Sequence, residues 1–254
     1  MTITVGVLAL QGGVIEHINL LRQAAASSFS QDNDQITFAF NEVRTTEQLQ
    51  KCDALIIPGG ESTTMAIVAR RLGLFDALRE FVKVQHKPVW GTCAGLVMLA
   101  EEASATKQGG QELVGGLDVK VLRNRYGTQI QSFVADLSLK FLGEDEKPFR
   151  GVFIRAPVVE EIISPSSGVE DSHLKKKGKS ADGAVEIMGV YKNAAKVGEE
   201  QGDEEDIVAV RQGNVFGTSF HPELTGDVRI HAWWLRQVVD SLRHKDLVVR
   251  NDRA

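Results

Sequence analysis

Two apolar periods alternate through the N-terminal half of the chain. Runs rich in aliphatic and β-branched residues at 3–10, 36–43, 54–57 and 87–90 read as buried strands. Segments 14–26, 63–71 and 75–85 instead place apolar residues three and four apart, the spacing of amphipathic helices. Strands alternating with helices predict an α/β fold, a three-layer sandwich around a mostly parallel central sheet. Turn residues close the strands: Gln11-Gly12-Gly13 after the first, Pro58-Gly59-Gly60 after the third, and Gly91-Thr92-Cys93-Ala94-Gly95 after the fourth, ahead of a short helix at 96–100.

Beyond residue 117 the pattern changes to short strands at 117–122, 132–137, 151–154, 185–191, 207–210 and 215–219, expected to extend or flank the sheet. A helix at 228–242 follows. Two polar stretches, 27–35 and 164–206, read as solvated, partly mobile insertions; the second holds Lys175-Lys176-Lys177 and Glu204-Glu205-Asp206. The tail after Leu242 carries no motif and is expected to be a mobile end. No internal repeat is visible, and 254 residues with 43% hydrophobic content suit a single domain spanning 1–254.

Composition narrows the function. A formal net charge of −5 offers no general attraction to nucleic acid or anionic membrane. The apolar opening is short and lacks a basic leader, and no run approaches the roughly 20 apolar residues of a membrane span. Cys52 and Cys93 cannot form a disulfide framework and neither sits in a CxxC pair, so a reducing, cytoplasmic setting is expected. Cys52, at the head of an apolar strand, reads as a small core residue. His17, His86, His173, His231 and His244 lack metal-ligand spacing and read as surface or packing residues, with no metal and no cofactor implied. Trp233 and Trp234 are adjacent on a helix and cannot face the same way, so one is expected to pack on the sheet.

Three segments carry chemistry. Cys93 stands in a G-x-C-x-G frame between a strand and a helix, where a sharp turn lifts a nucleophile above the sheet edge and Gly91 and Gly95 permit close packing. A helix amino terminus favours a thiolate, and the Ala94 N–H is placed for an oxyanion. A packed structural cysteine is the alternative that this frame leaves open. In His221-Pro222-Glu223 the proline restricts the histidine to extended geometry, and two-residue alternation would put imidazole and carboxylate on one side. A carboxylate on one ring nitrogen leaves the other free to exchange a proton with a thiol. Pro58-Gly59-Gly60-Glu61-Ser62-Thr63 opens a helix at the same predicted sheet edge and offers further amides, or is simply a turn with a Ser62 or Thr63 cap.

PGGEST, GTCAG and HPE, in that order, resemble the class I (triad) glutamine amidotransferases. LALQG at 8–12, Arg123-Asn124 before Tyr126-Gly127, FIRAP at 153–157 and FHPEL at 220–224 resemble more narrowly the glutaminase subunits of pyridoxal 5′-phosphate synthase. The match spans nearly the whole chain and is interrupted chiefly by the polar stretches. It implies Cys93 as nucleophile, His221 as acid and base, Glu223 as its orienting partner, and Gly60 and Ala94 as oxyanion donors. It further implies a glutamine site from Gly60, Glu61, Ser62, Arg123, Ile154 and Arg155, with ammonia passing to a synthase partner. Thr128 departs from a second arginine common in the family, which touches the pocket wall or interface rather than the triad.

Other readings stay open at this level: a glutaminase serving another acceptor, such as imidazole glycerol phosphate synthesis, a γ-glutamyl peptide hydrolase without partner, or a silent regulatory protein on the same fold. The glycine beside the Gly60–Glu61 peptide also suggests a rotatable oxyanion donor that a docked synthase would fix, with Gln11 in the docking surface.

Overall fold

The computed structural model describes residues 1–29, 36–104, 111–123, 125, 132–143, 146–163, 183–193 and 204–251. Strand β1 (Thr2–Leu8) leads into helix α1 (Val14–Ser28), β2 (Thr37–Val43), α2 (Thr46–Gln50) and β3 (Ala54–Ile57). Next come α3 (Ser62–Arg71), α4 (Leu74–Lys83), β4 (Val89–Thr92), α5 (Ala94–Leu99), β5 (Ala100–Ser104) and β6 (Leu117–Leu122). β7 (Ser132–Leu137), β8 (Phe149–Ile154), β9 (Val158–Ile162), β10 (Glu186–Asn193), β11 (Glu204–Gln212) and β12 (Val215–Thr218) precede the terminal helix α6 (Arg229–Asn251).

Ten of these strands form one sheet in the order β2-β1-β3-β4-β12-β11-β9-β6-β5, with β10 on the free side of β11. β2, β1, β3, β4 and β12 pair in parallel, as do β5 and β6, while β9, β10 and β11 pair antiparallel. β7 and β8 make a separate antiparallel pair.

Period-two alternation divides the buried residues between the two faces. Ala54, Ile56, Trp90 and Phe216 point to one side with α1, α6 and the β7–β8 pair. Leu55, Ile57, Val89 and Val215 point to the other with α3, α4 and α5. Helices on both faces make the expected three layers.

The departures from the sequence reading are local. α2 was not foreseen; five residues carry too little periodicity, although Thr45 and Gln48 form a reciprocal capping box. β5 and β9 were also missed, and the short helix begins at Ala94 and yields to strand at Ala100. The terminal helix does not stop at Leu242 but runs to Asn251, and Lys245 anchors this extension by donating to the Gln85 and His86 carbonyls. Glu204-Glu205-Asp206 opens β11 rather than a mobile loop, with Asp206 buried and paired to Arg125 at 3.2 Å. Both tryptophans pack: Trp234 on Trp90, and Trp233 against Phe141 and Phe216. Lys175-Lys176-Lys177, His173, Asn124 and Tyr126 to Gln129 lie outside the described residues.

Candidate active site

Parallel strands end on the same edge of a sheet, and that edge collects the chemistry. β1, β3, β4 and β12 are neighbours in the sheet. Their C-terminal loops therefore bring Gln11, Pro58 to Gly60, Cys93 and His221 side by side. The register pairs Ile57 with Gly91 and Thr218 with Thr92, so the loops leave at one level.

Cys93 occupies the turn between β4 and α5 with φ 52° and ψ −106°, a strained conformation for a residue bearing a Cβ. Its N–H donates to the Thr218 carbonyl at 2.8 Å, pinning the turn to β12. Gly91 and Gly95 make the turn feasible. A Cβ on Gly95 would strike the Ile57 carbonyl, and one on Gly91 would strike the Gly95 backbone. The Cys93 sulfur faces the Ile154 carbonyl at 3.9 Å.

His221 follows β12 with φ −103° and ψ 86°, its N–H donating to the Val152 carbonyl of β8. The geometry after it differs from the extended one expected. Pro222–Leu224 is a single 3₁₀ turn, so the turn rather than strand alternation folds Glu223 back beneath the imidazole. His221 Nδ1 meets Glu223 Oε1 at 2.8 Å, which leaves Nε2 free to exchange a proton with Cys93, the neighbour of the ring across Gly59. Burial alone would lower the histidine's pKa, but the interactions with Cys93 and Glu223 win and push it up to about 10. Glu223 is almost wholly buried; desolvation favours its neutral form, yet His221 and His17 hold its pKa below the ordinary value. Gly59 fits against this group, since a Cβ there would meet the His221 ring and approach Cys93.

The remaining predicted residues border the site in different ways. Gly60 has φ 147°, a left-handed conformation suited to glycine. The next amide, Glu61 N–H, donates to Gln11 Oε1 at 2.8 Å, so Gln11 holds the segment that follows β3. The Glu61 carboxylate caps α3, accepting from the Thr63 and Thr64 amides at 3.1 and 2.7 Å, and pairs with Arg123 at 2.9 Å. The hydrogen bonds from Thr64 and Thr63 outweigh its desolvation and pull its pKa down to about 2. Arg123 also donates to Thr63 Oγ1, and the Ser62 hydroxyl donates to Gln111 Oε1 at 3.1 Å. Ala94 opens α5 directly after the nucleophile candidate. Ile154 contributes its carbonyl, while Arg155 is exposed with φ 46°.

Sequence reasoning missed one neighbour of the carboxylate and one of the segment after β3. His17 is fully buried, with Nε2 3.4 Å from Glu223 Oε2 and Nδ1 2.9 Å from His231 Nε2. Its phase with Leu21 and Ala24 marks it as a residue of the buried stripe of α1, but no local spacing points to Glu223. Gln111, the partner of Ser62 and Thr63, had no signal at all. Among the described residues, no group of three or more His, Cys, Asp or Glu side chains is placed to hold a metal ion. No helix among them is long and apolar enough to cross a membrane.

Comparison with known proteins finds relatives along almost the whole chain. The SNO glutamine amidotransferase family model matches residues 7–240. The probable pyridoxal 5′-phosphate synthase subunit PDX2 of Arabidopsis thaliana is 47% identical over 243 residues, covering 92% of this chain and 85% of that protein. The pyridoxal 5′-phosphate synthase subunit PdxT of Pyrococcus furiosus is 40% identical over 242 residues, covering 93% and 100%. A solved structure described as a glutamine amidotransferase aligns with a TM-score of 0.65 at 36% identity, covering 92% of this chain and 98% of its own. With similarity along almost its entire length, the chain belongs to the SNO glutamine amidotransferase family.

Proposed function

We propose that this chain hydrolyses the side-chain amide of glutamine and passes the ammonia to a synthase subunit that makes pyridoxal 5′-phosphate. The observation that carries the reading is the juxtaposition of Cys93, His221 and Glu223 at one sheet edge, with His221 bonded to Glu223 and the ring beside Cys93. A protonated imidazole beside a thiol favours the anionic sulfur nucleophile. In this reading the Cys93 sulfur attacks the glutamine amide carbon, and the Gly60 and Ala94 amides stabilise the oxyanion that forms. His221 gives its proton to the departing nitrogen, which leaves as ammonia. The same ring then takes a proton from water, whose oxygen attacks the thioester, releasing glutamate and the thiolate.

Glutamine recognition is assigned to Gly60, Glu61, Ser62, Arg123, Ile154 and Arg155. Because the Glu61 carboxylate already caps α3 and anchors Arg123, the part of 60–62 left for substrate is the main chain. An anchored guanidinium fork suits the substrate carboxylate. The Gln11 contact with the Glu61 amide couples the first β–α loop to the oxyanion segment, and a synthase docking there would set the donor. Two free thiols fit a reducing cytoplasm.

The test is glutamate release by the full chain with and without a pyridoxal 5′-phosphate synthase subunit. Stimulation is expected. Equal hydrolysis without any partner would favour a free-standing γ-glutamyl hydrolase, and stimulation only by a different synthase would reassign the acceptor.

A further inference from the structure

Behind Glu223, on the side away from the reacting sulfur, two buried imidazoles take no direct part in the hydrolysis. His17 of α1 and His231 of α6 are both at 0% exposure. His17 Nε2 lies 3.4 Å from Glu223 Oε2, the carboxylate oxygen that His221 leaves unused. That oxygen is buried, and among the described residues no well-aligned hydrogen bond reaches it, so the imidazole is the group placed to serve it. Thr92 Oγ1 stands 3.4 Å from the same nitrogen, and Trp90 packs edge-on to both rings. The charged groups facing the cluster are Glu223, His221 and, beside Gly13, the carboxylate of Glu16.

Counting protons selects one arrangement. Burial pushes both imidazoles down to about 3, so each is neutral and owns one N–H. If His231 Nε2 donates to His17 Nδ1, then His17 Nε2 carries its N–H towards the carboxylate. The only group left over is a lone pair on His231 Nδ1, which has no partner. In the reverse arrangement His231 Nδ1 would bear a buried, orphaned N–H, and a lone pair of His17 would face the carboxylate. Orphaned buried donors are rarer than under-used acceptors, and a carboxylate accepts more strongly than the Thr92 hydroxyl.

We infer that His17 is a positioning residue for glutamine hydrolysis: held by His231, it donates to Glu223 Oε2 and locks the carboxylate so that Oε1 receives the His221 Nδ1–H. The inference rests on the reading of Cys93, His221 and Glu223 as the reacting set. A carboxylate tied at one oxygen can swing about its last bond, whereas one tied at both presents a fixed acceptor to the imidazole.

The experiment compares wild type, His17→Leu, which keeps most of the volume without an N–H, and His17→Gln, which restores an N–H at similar reach. Two readouts are taken on the full chain: glutamate release with the synthase subunit present, and the rate of Cys93 alkylation by iodoacetamide across pH, followed by peptide mapping. His17→Leu is expected to lower kcat about tenfold, the loss of one hydrogen bond to a charged group, with KM for glutamine changed less than about twofold. The alkylation midpoint should move to higher pH because the imidazolium is less well supported, and His17→Gln should recover most of both. If His17→Leu does not fold, His231→Phe, which strips the donor to His17 Nδ1, should show a smaller loss with the same kcat pattern and the same direction of midpoint shift. Wild-type kcat and an unmoved midpoint in the variant that folds, or His17→Gln no better than His17→Leu, would overturn the inference. Undiminished turnover in Cys93→Ser would overturn the triad reading itself, and the positioning role with it.

Discussion

Mild acid should destabilise this protein through His17 and His231. Both are fully buried, and desolvation lowers each from an ordinary pKa of 6.5 to about 3. A histidine whose folded pKa is depressed binds more protons when unfolded. Its contribution to stability is therefore complete above 6.5 and shrinks as pH falls towards 3. At about pH 5, 1.5 pH units below 6.5, each group has lost about 2 kcal/mol at 1.36 kcal/mol per unit, or about 4 kcal/mol for the pair. The window is clean. The lowered pKa values of Glu61 and Glu223 cost stability only below their ordinary value of 4.5. His221, raised to about 10, contributes its full share below 6.5 and loses it as pH climbs towards 10. Equilibrium urea unfolding at pH 6.5 and 5 measures most of the difference; part of the loss has already occurred at pH 6.5, where the unfolded groups are half protonated, so about 3 kcal/mol remains and, with a slope of about 3 kcal/mol per molar, the midpoint should fall by about 1 M. His231→Phe keeps an aromatic ring against Trp90 and removes one of the two protonation sites. It should roughly halve the acid loss. A wild type equally stable at both pH values, or a loss unchanged by His231→Phe, would refute the reasoning.

Other perturbations test the rest of the site. Cys93→Ser should fold normally and abolish glutamine hydrolysis, while added ammonium salts restore product formation by the complex, since only the ammonia source is lost. Glu223→Gln removes the charge but keeps an acceptor near His221, so glutamate release should fall roughly tenfold to a hundredfold while a glutamine-like electrophile still alkylates Cys93. Gly95→Ala drives a methyl into the Ile57 carbonyl, and thermal unfolding should register a loss of roughly 3 kcal/mol or no folded protein. Gln11→Ala releases the Glu61 amide, and stimulation by the synthase subunit should weaken while folding is unaffected.

Much was legible in the chain because the signals are local. Alternating apolar periods identify β1, α1, β3, α3 and α4 within a few residues, and the turn after each strand is written in Gly, Pro and Gln. The frame around Cys93 specifies its strand-to-helix turn, down to the two glycines whose hydrogens alone fit there. The proximity of His221 and Glu223 was also foreseen, although through the wrong geometry. The chain restricts only the residue before proline, and whether the next residues continue as strand or curl into a 3₁₀ turn depends on the packing of that segment against β8 and α1.

What tertiary structure decided are the partnerships between distant residues. Nothing near His17 names Glu223 or His231, more than two hundred residues away along the chain; α1 and α6 meet on one face of the sheet and bury the three together. Gln11 reaches Glu61, and Arg123 reaches the same residue, only because the sheet and its crossovers bring those loops to one edge. Local sequence governs turns, caps and periodicity, which depend on neighbours a few residues apart. The second support of the carboxylate depends on which helices share a face, a property of the whole packed chain.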